Sequence, residues 1–161
     1  MSKGEEIDAA PYIVDLIETS IKIYEKLSTE RPELKKHMGD LAYREQLQKA
    51  TISMPRQNGH TRAAIEILKR YPTSVLIARN YEHERRLHRE NPELTDQIMS
   101  ITAAASGNRG TTALHTICRL TGGIKCVLID GASITDQQYD SIFLRFSPNL
   151  VVYLGDFERT Q

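Results

Sequence analysis

The run Lys125-Cys126-Val127-Leu128-Ile129-Asp130 constrains this chain more than any other segment. It is apolar without alternation, too short for a buried helix, and ends in an acid. A strand of that kind is buried on both faces, which is the condition of a central strand in a parallel sheet. The pattern recurs along the chain. Strands are expected near 49–54, 74–79, 98–104, 125–130 and 149–155, and helices over 61–70, 81–90, 111–121 and 136–146. Ile98, Ile101 and the three alanines that follow suit a helix as well as a strand. Strictly alternating strands and helices give an α/β fold, a mostly parallel sheet flanked by helices. Thr135-Asp136-Gln137-Gln138 is a capping-box pattern that starts the last helix, and Gly122-Gly123 stops the preceding one.

Before the first strand the periodicity is helical. Pro11, Ile13, Leu16, Ile17, Ile21, Tyr24 and Leu27 predict a helix over about 10–28. A second is expected from Arg31-Pro32 through Leu34, Met38, Leu41 and Tyr43 to Leu47. Residues 1–46 thus read as an N-terminal helical extension and 47–161 as one compact core. A chain of 161 residues is long enough for one domain that buries about 70% of its unfolded surface.

Between the first strand and its helix lies Ser53-Met54-Pro55-Arg56-Gln57-Asn58-Gly59-His60-Thr61. A strand, a polar turn and a helix opening with Gly-x-Thr can cradle phosphates with backbone N–H groups at the helix N-terminus. Against the pattern G-x-x-x-x-G-K-[ST], the loop keeps Gly59 and Thr61, has Met54 for the first glycine and His60 for the lysine. Gly59 lets the backbone approach a phosphate, Thr61 offers a hydroxyl to Mg²⁺, and the amides from Asn58 to Arg62 supply an anion nest. Arg56 and Gln57 lie within the loop, where Arg56 can restore part of the charge absent at His60. A polar turn that only caps a helix would use the same residues. Asp130, at the carboxyl end of its strand, stands where α/β sheets bind ligands and can hold Mg²⁺ through water. Asp-Gly is also a favoured turn pair.

These segments together resemble the RecA-like ATPase core of P-loop NTPases, most nearly that of phage terminase large subunits and superfamily 2 helicases. Residues 53–61 are similar to the first motif, Thr73 to Asn80 to the strand and loop after it, and Ser106-Gly107-Asn108-Arg109-Gly110 to an Arg-Gly turn. Val127 to Asp130 match the acidic motif, and Leu150 to Gly155 the coupling strand. The likeness spans about two thirds of the chain. It implies a single RecA-like domain that binds ATP or another NTP with Mg²⁺, held by Thr61 and Asp130. Asp130 and His60 would carry the chemistry, and residues 56–62 with Arg109 the nucleotide. It further implies a DNA or protein partner, with oligomerisation a route to completing the site. The family carries Glu after the metal-binding Asp, and here Gly131 follows. Loss of a general base removes a factor of about 10²–10⁴ in rate. Weak or absent hydrolysis is therefore expected, and the alternative is a pseudo-NTPase, an interaction or regulatory module without catalysis. Tyr43, Gln46 and Gln48 precede the first strand where superfamily 2 proteins read adenine, and core packing explains Tyr43 about as well. The sequence runs six residues beyond Gly155, so a second motor lobe is not expected in it.

Charge adds little direction. Twenty-one basic and 21 acidic residues give a formal charge of +0, so any nucleic-acid contact would be local. One local candidate is the helix carrying His83, Arg85, Arg86, His88 and Arg89, whose interleaved Glu82, Glu84 and Glu90 equally suit a solvated face. No run reaches membrane-spanning length and Met1 to Glu6 lacks the apolar core of a secretory signal, so a cytoplasmic protein without membrane contact is expected. The two cysteines, Cys118 and Cys126, are expected as reduced, packed thiols. With His115 they make three metal-ligand types without an evident fourth.

Overall fold

A computed structural model describes residues 8–53, 59–106, 124–131, 133–155 and 158–160. Helix α1 covers Ala10–Glu30, α2 Glu33–Met38, α3 Asp40–Leu47, α4 His60–Arg70, α5 Tyr81–Glu90, α6 Ile101–Ser106 and α7 Asp136–Phe146. Strands are β1 Lys49–Ile52, β2 Val75–Ala78, β3 Ile98–Ser100, β4 Cys126–Asp130, β5 Ser133–Thr135, β6 Leu150–Leu154 and β7 Glu158–Thr160. A 3₁₀ segment, Pro92–Gln97, leads into β3.

Five strands form one sheet in the order β1-β6-β4-β2-β3, and every pairing is parallel. The fold is α/β, with helices on both faces, consistent with a single RecA-like domain. The chain passes from β1 by way of α4 to β2, then by α5 to β3 at the edge. It returns to β4 and moves by α7 to β6, inserted between β4 and β1. Because crossovers between parallel strands are right-handed, reversing the direction of travel moves the helices to the opposite face. The core divides accordingly. Ile13, Ile17 and Ile21 of α1, Ala63, Ala64, Ile67 and Leu68 of α4 and Leu87 of α5 pack on Leu76, Leu128 and Val152. Tyr139, Ile142, Phe143 and Phe146 of α7 pack with Ala104 of α6 on Val75, Ile77, Val127, Val151 and Tyr153. Alternate residues of each strand thus feed opposite cores, and the apolar runs of β2, β4 and β6 are buried throughout.

Several expectations are met and others corrected. Helices α5 and α7 match their expected spans, and the capping box at Thr135 is present in both directions. The single helix expected from Arg31-Pro32 to Leu47 is two, because Gly39, at φ +84°, adopts a backbone that breaks the run. Segment 98–104 takes both of its readings: three residues of strand, then α6. The short parallel pair β5–β7 was not expected. The helix expected over 111–121, with Arg109, His115, Cys118 and the glycine stop, lies outside the described residues. Cys126 is a free thiol, and burial pushes its pKa up to about 12.

Candidate functional site

The carboxyl edge of the sheet gathers three structural ends: the start of α4, the end of β4, and the turn from β2 into α5. The start of α4 is set by Gly59, which caps the helix from the left-handed region at φ +91°. Only glycine fits there, since an added Cβ would lie 3.0 Å from both N and Cβ of Ala10 and 3.1 Å from Asp8 Oδ1. Gly59 is therefore pressed against the start of α1. Asp8 Oδ1 accepts from the Ala10 amide at 3.0 Å and pairs with the Arg62 guanidinium at 2.5 Å. Arg62, expected at the phosphates, is thus engaged by a carboxylate of the N-terminal segment.

His60 and Thr61 follow Gly59 in the first turn of α4. The Thr61 hydroxyl donates to Asp130 Oδ2 at 2.6 Å, joining residues 69 positions apart. That length lies at the short end of the range for an O–H···O bond. Asp130 is 4% exposed, at the end of a strand whose other residues are fully buried. His60 is 9% exposed, and its Nε2 has no hydrogen-bond partner among the described residues. The sequence-expected residues Gly59, His60, Thr61 and Asp130 therefore converge on one edge of the sheet. Arg56, Gln57, Asn58 and Arg109 lie outside the described residues.

Gly131 carries a second backbone constraint. Its φ is +62°, and its amide donates to Leu154 O at 3.1 Å. A non-glycine residue there costs about 1–2 kcal/mol for the left-handed conformation. The local backbone thus favours glycine at position 131.

Sequence reasoning missed His83. It was grouped with a basic helical face, yet it is 6% exposed and turned inwards. Its backbone N–H donates to the Asn80 side chain, which caps α5, and its ring Nδ1 accepts from the Arg79 amide at 3.1 Å. An imidazole that accepts at Nδ1 carries its proton on Nε2. That Nε2 faces Asp130 Oδ2 at 3.9 Å and has no hydrogen-bond partner among the described residues. Burial lowers the His83 pKa; Asp130 opposes the shift, and Arg79 and Arg86 reinforce it. The signal available in the sequence was its place three residues after an Asn N-cap, on the side of α5 that also carries buried Leu87. His88 is structural too, its Nε2 lying 2.8 Å from Ile98 O.

The adenine reading of Tyr43 and Gln48 is corrected by position. Both flank the amino end of β1, across the sheet from Asp130. Tyr43 is 4% exposed and meets Tyr24 edge-on, while Gln48 Nε2 bonds Tyr24 OH and the carbonyls of Pro148 and Asn149. These contacts fasten α1 and α3 to the turn before β6.

Thr61 and Asp130 supply hard oxygen donors, which suit Mg²⁺ better than a softer metal. Among the described residues no cluster of three His, Cys, Asp or Glu side chains can hold a metal ion. The His83 ring cannot join as a ligand without giving up its bond from the Arg79 amide. Among the described residues no helix is long and apolar enough to cross a membrane. Comparison with protein-family models, with curated proteins and with solved structures gives no match.

Proposed function

We propose that the chain binds a nucleoside triphosphate, ATP by resemblance, with Mg²⁺ at the carboxyl edge of the sheet, and that its hydrolysis is weak or lost. The observation that carries this reading is the 2.6 Å bond from Thr61 to Asp130. It couples the first turn of a helix after a glycine turn to an acid at the end of a central parallel strand, as a phosphate-and-metal site requires. The Thr61 hydroxyl and Asp130 would hold the ion, which when bound would neutralise phosphate charge and orient the terminal phosphate. The amides at the start of α4 bind phosphate oxygens. His60 stands where the pattern has lysine and its side chain is shorter, so binding depends more on the metal. Low turnover follows from Gly131, whose backbone excludes a glutamate base without strain.

One observation favours the second reading, an interaction module without nucleotide. Asp8 places a carboxylate beside Gly59 and pairs with Arg62, at the helix end where an anion would sit. Equilibrium binding of a fluorescent ATP analogue with and without Mg²⁺ separates the two. The nucleotide reading requires Mg²⁺-dependent binding that is lost in Asp130→Ala. Absence of binding in the wild-type chain leaves the interaction module.

A further inference from the structure

Beside Asp130, at the carboxyl end of β2, lies a cavity of about 480 Å³. Its volume is that of a ligand pocket, which spans about 300–1,000 Å³, but its walls are not apolar. Among the described residues Arg79, Arg85, Arg86 and Arg89 line it, together with Glu82, Asn80 and His83. Four guanidinium groups against one carboxylate leave +3 around a single cavity, in a chain whose formal charge is +0. Among the described residues, Arg86 reaches Glu90 only at 3.9 Å, and Arg85 lies 5.7 Å from the ring centre of Tyr81. Planar guanidinium forks match phosphate oxygens in pairs, and that is the anion such a lining selects.

The His83 ring gives this cavity a fixed wall. His83 forms part of the cavity wall, is 6% exposed, and holds an Nε2–H that no described group accepts. A buried donor left without an acceptor is costly, and this one is turned to Asp130 Oδ2 at 3.9 Å. The ring is not free to turn away, because Nδ1 is fixed by the Arg79 amide. Arg79 itself lines the cavity, so the residue that holds the ring also meets whatever enters.

We propose that this cavity is a phosphate-binding site separate from the start of α4, with the His83 ring set between the two. A phosphate in the cavity meets the arginine guanidiniums beside the fixed His83 ring, whose Nε2 stays turned to Asp130 Oδ2, so occupancy brings negative charge towards Asp130. His83 acts here as a positioning residue. Phosphate binding at the cavity stands without the nucleotide reading, whereas its consequence for Asp130 rests on it. The phosphate comes either from a single-stranded nucleic acid or from a free oligophosphate. Tyr81, 63% exposed in the first turn of α5, adds a surface on which a base can stack in the first case.

The test uses the full ¹⁵N-labelled chain, titrated separately with tripolyphosphate and with a short oligothymidylate, following the His83 ring resonance assigned by its loss in His83→Gln. The expected result is a shift of that resonance on adding at least one probe, with affinity falling about tenfold or more in Arg85→Ala/Arg89→Ala, a change of about 1.4 kcal/mol. If the oligonucleotide binds and the salt slope drops by about one for each phosphate contact removed, the source is a strand. Binding of tripolyphosphate alone assigns a free oligophosphate. In Thr61→Val, loss of ATP-analogue binding with the cavity titration intact shows the two sites to be separate. The proposal is overturned if neither probe moves the His83 resonance, or if the double arginine variant binds as the wild type does.

Discussion

Replacing Thr61 by Val tests the contact on which the candidate site depends. Valine keeps the β-branched shape and the helical rotamer preference, so the change removes a hydroxyl donor and little else. The bond it removes is 2.6 Å long and reaches a carboxylate that is 4% exposed. Hydrogen bonds to charged groups contribute about 1.5–3 kcal/mol, and stripping a donor from a buried acceptor brings the loss to the middle or upper part of that range. Thr61 is itself only half-buried, so the methyl that replaces the hydroxyl gains little from burial. We expect a loss of about 2 kcal/mol, which for a chain of this length lowers the melting temperature by roughly 4–8 °C. Urea denaturation followed by circular dichroism measures the free energy, and a double-mutant cycle with Asp130→Ala isolates the pair. A coupling of about 1.5 kcal/mol or more is expected. If Thr61→Val costs less than about 0.5 kcal/mol and adds independently to Asp130→Ala, the hydroxyl does not support the carboxylate, and the metal-site argument fails with it.

His83 gives a pH dependence of defined sign. Its folded pKa is depressed by burial below the ordinary 6.5, so as pH falls through 6.5 the unfolded chain takes up the proton first. Stability is therefore fully present above about pH 6.5 and declines towards the folded pKa, and His83→Gln should flatten that decline in urea titrations at pH 5–7. Ile17→Ala truncates a fully buried side chain of α1 packed between α4 and the sheet. It should cost about 2–5 kcal/mol by equilibrium denaturation, and a cost below 1 kcal/mol would show α1 to be detachable from the core. Gly131→Glu forces glutamate into a left-handed backbone, with a loss of about 1–2 kcal/mol expected. A fully stable variant would show that this backbone relaxes without cost, and measurable phosphate release by it would restore the missing glutamate as the reason for low turnover.

The architecture was legible because its signals are local or periodic. Continuous apolar runs such as Cys126 to Ile129 suit only strands covered on both faces, and the Thr135 capping box fixes a helix start from four consecutive residues. The sequence likewise placed Gly59, Thr61 and Asp130 among the candidates, since glycine turns and acids at strand ends carry recognisable patterns. It did not locate the break at Gly39, because one glycine in a helical run is tolerated unless packing demands a positive φ. Nor could it pair β1 with β6, residues about a hundred positions apart, since strand order follows from the direction in which each crossover travels. His83 shows the limit most clearly. In sequence it belongs to a charged stretch with Arg85, Arg86, His88 and Arg89, and their chemical types alone do not say which turn inwards. The Asn80 cap sets the phase of α5, and the Arg79 amide holds the ring. Closure of β2 against β4 then brings Nε2 to face Asp130, 47 residues away in the chain. The same phase leaves the arginines around the cavity. Propensity and pattern fixed the elements of this protein, while the partners of Asp130 were decided by the sheet order that joins the ends of β4 and β2 to the start of α4.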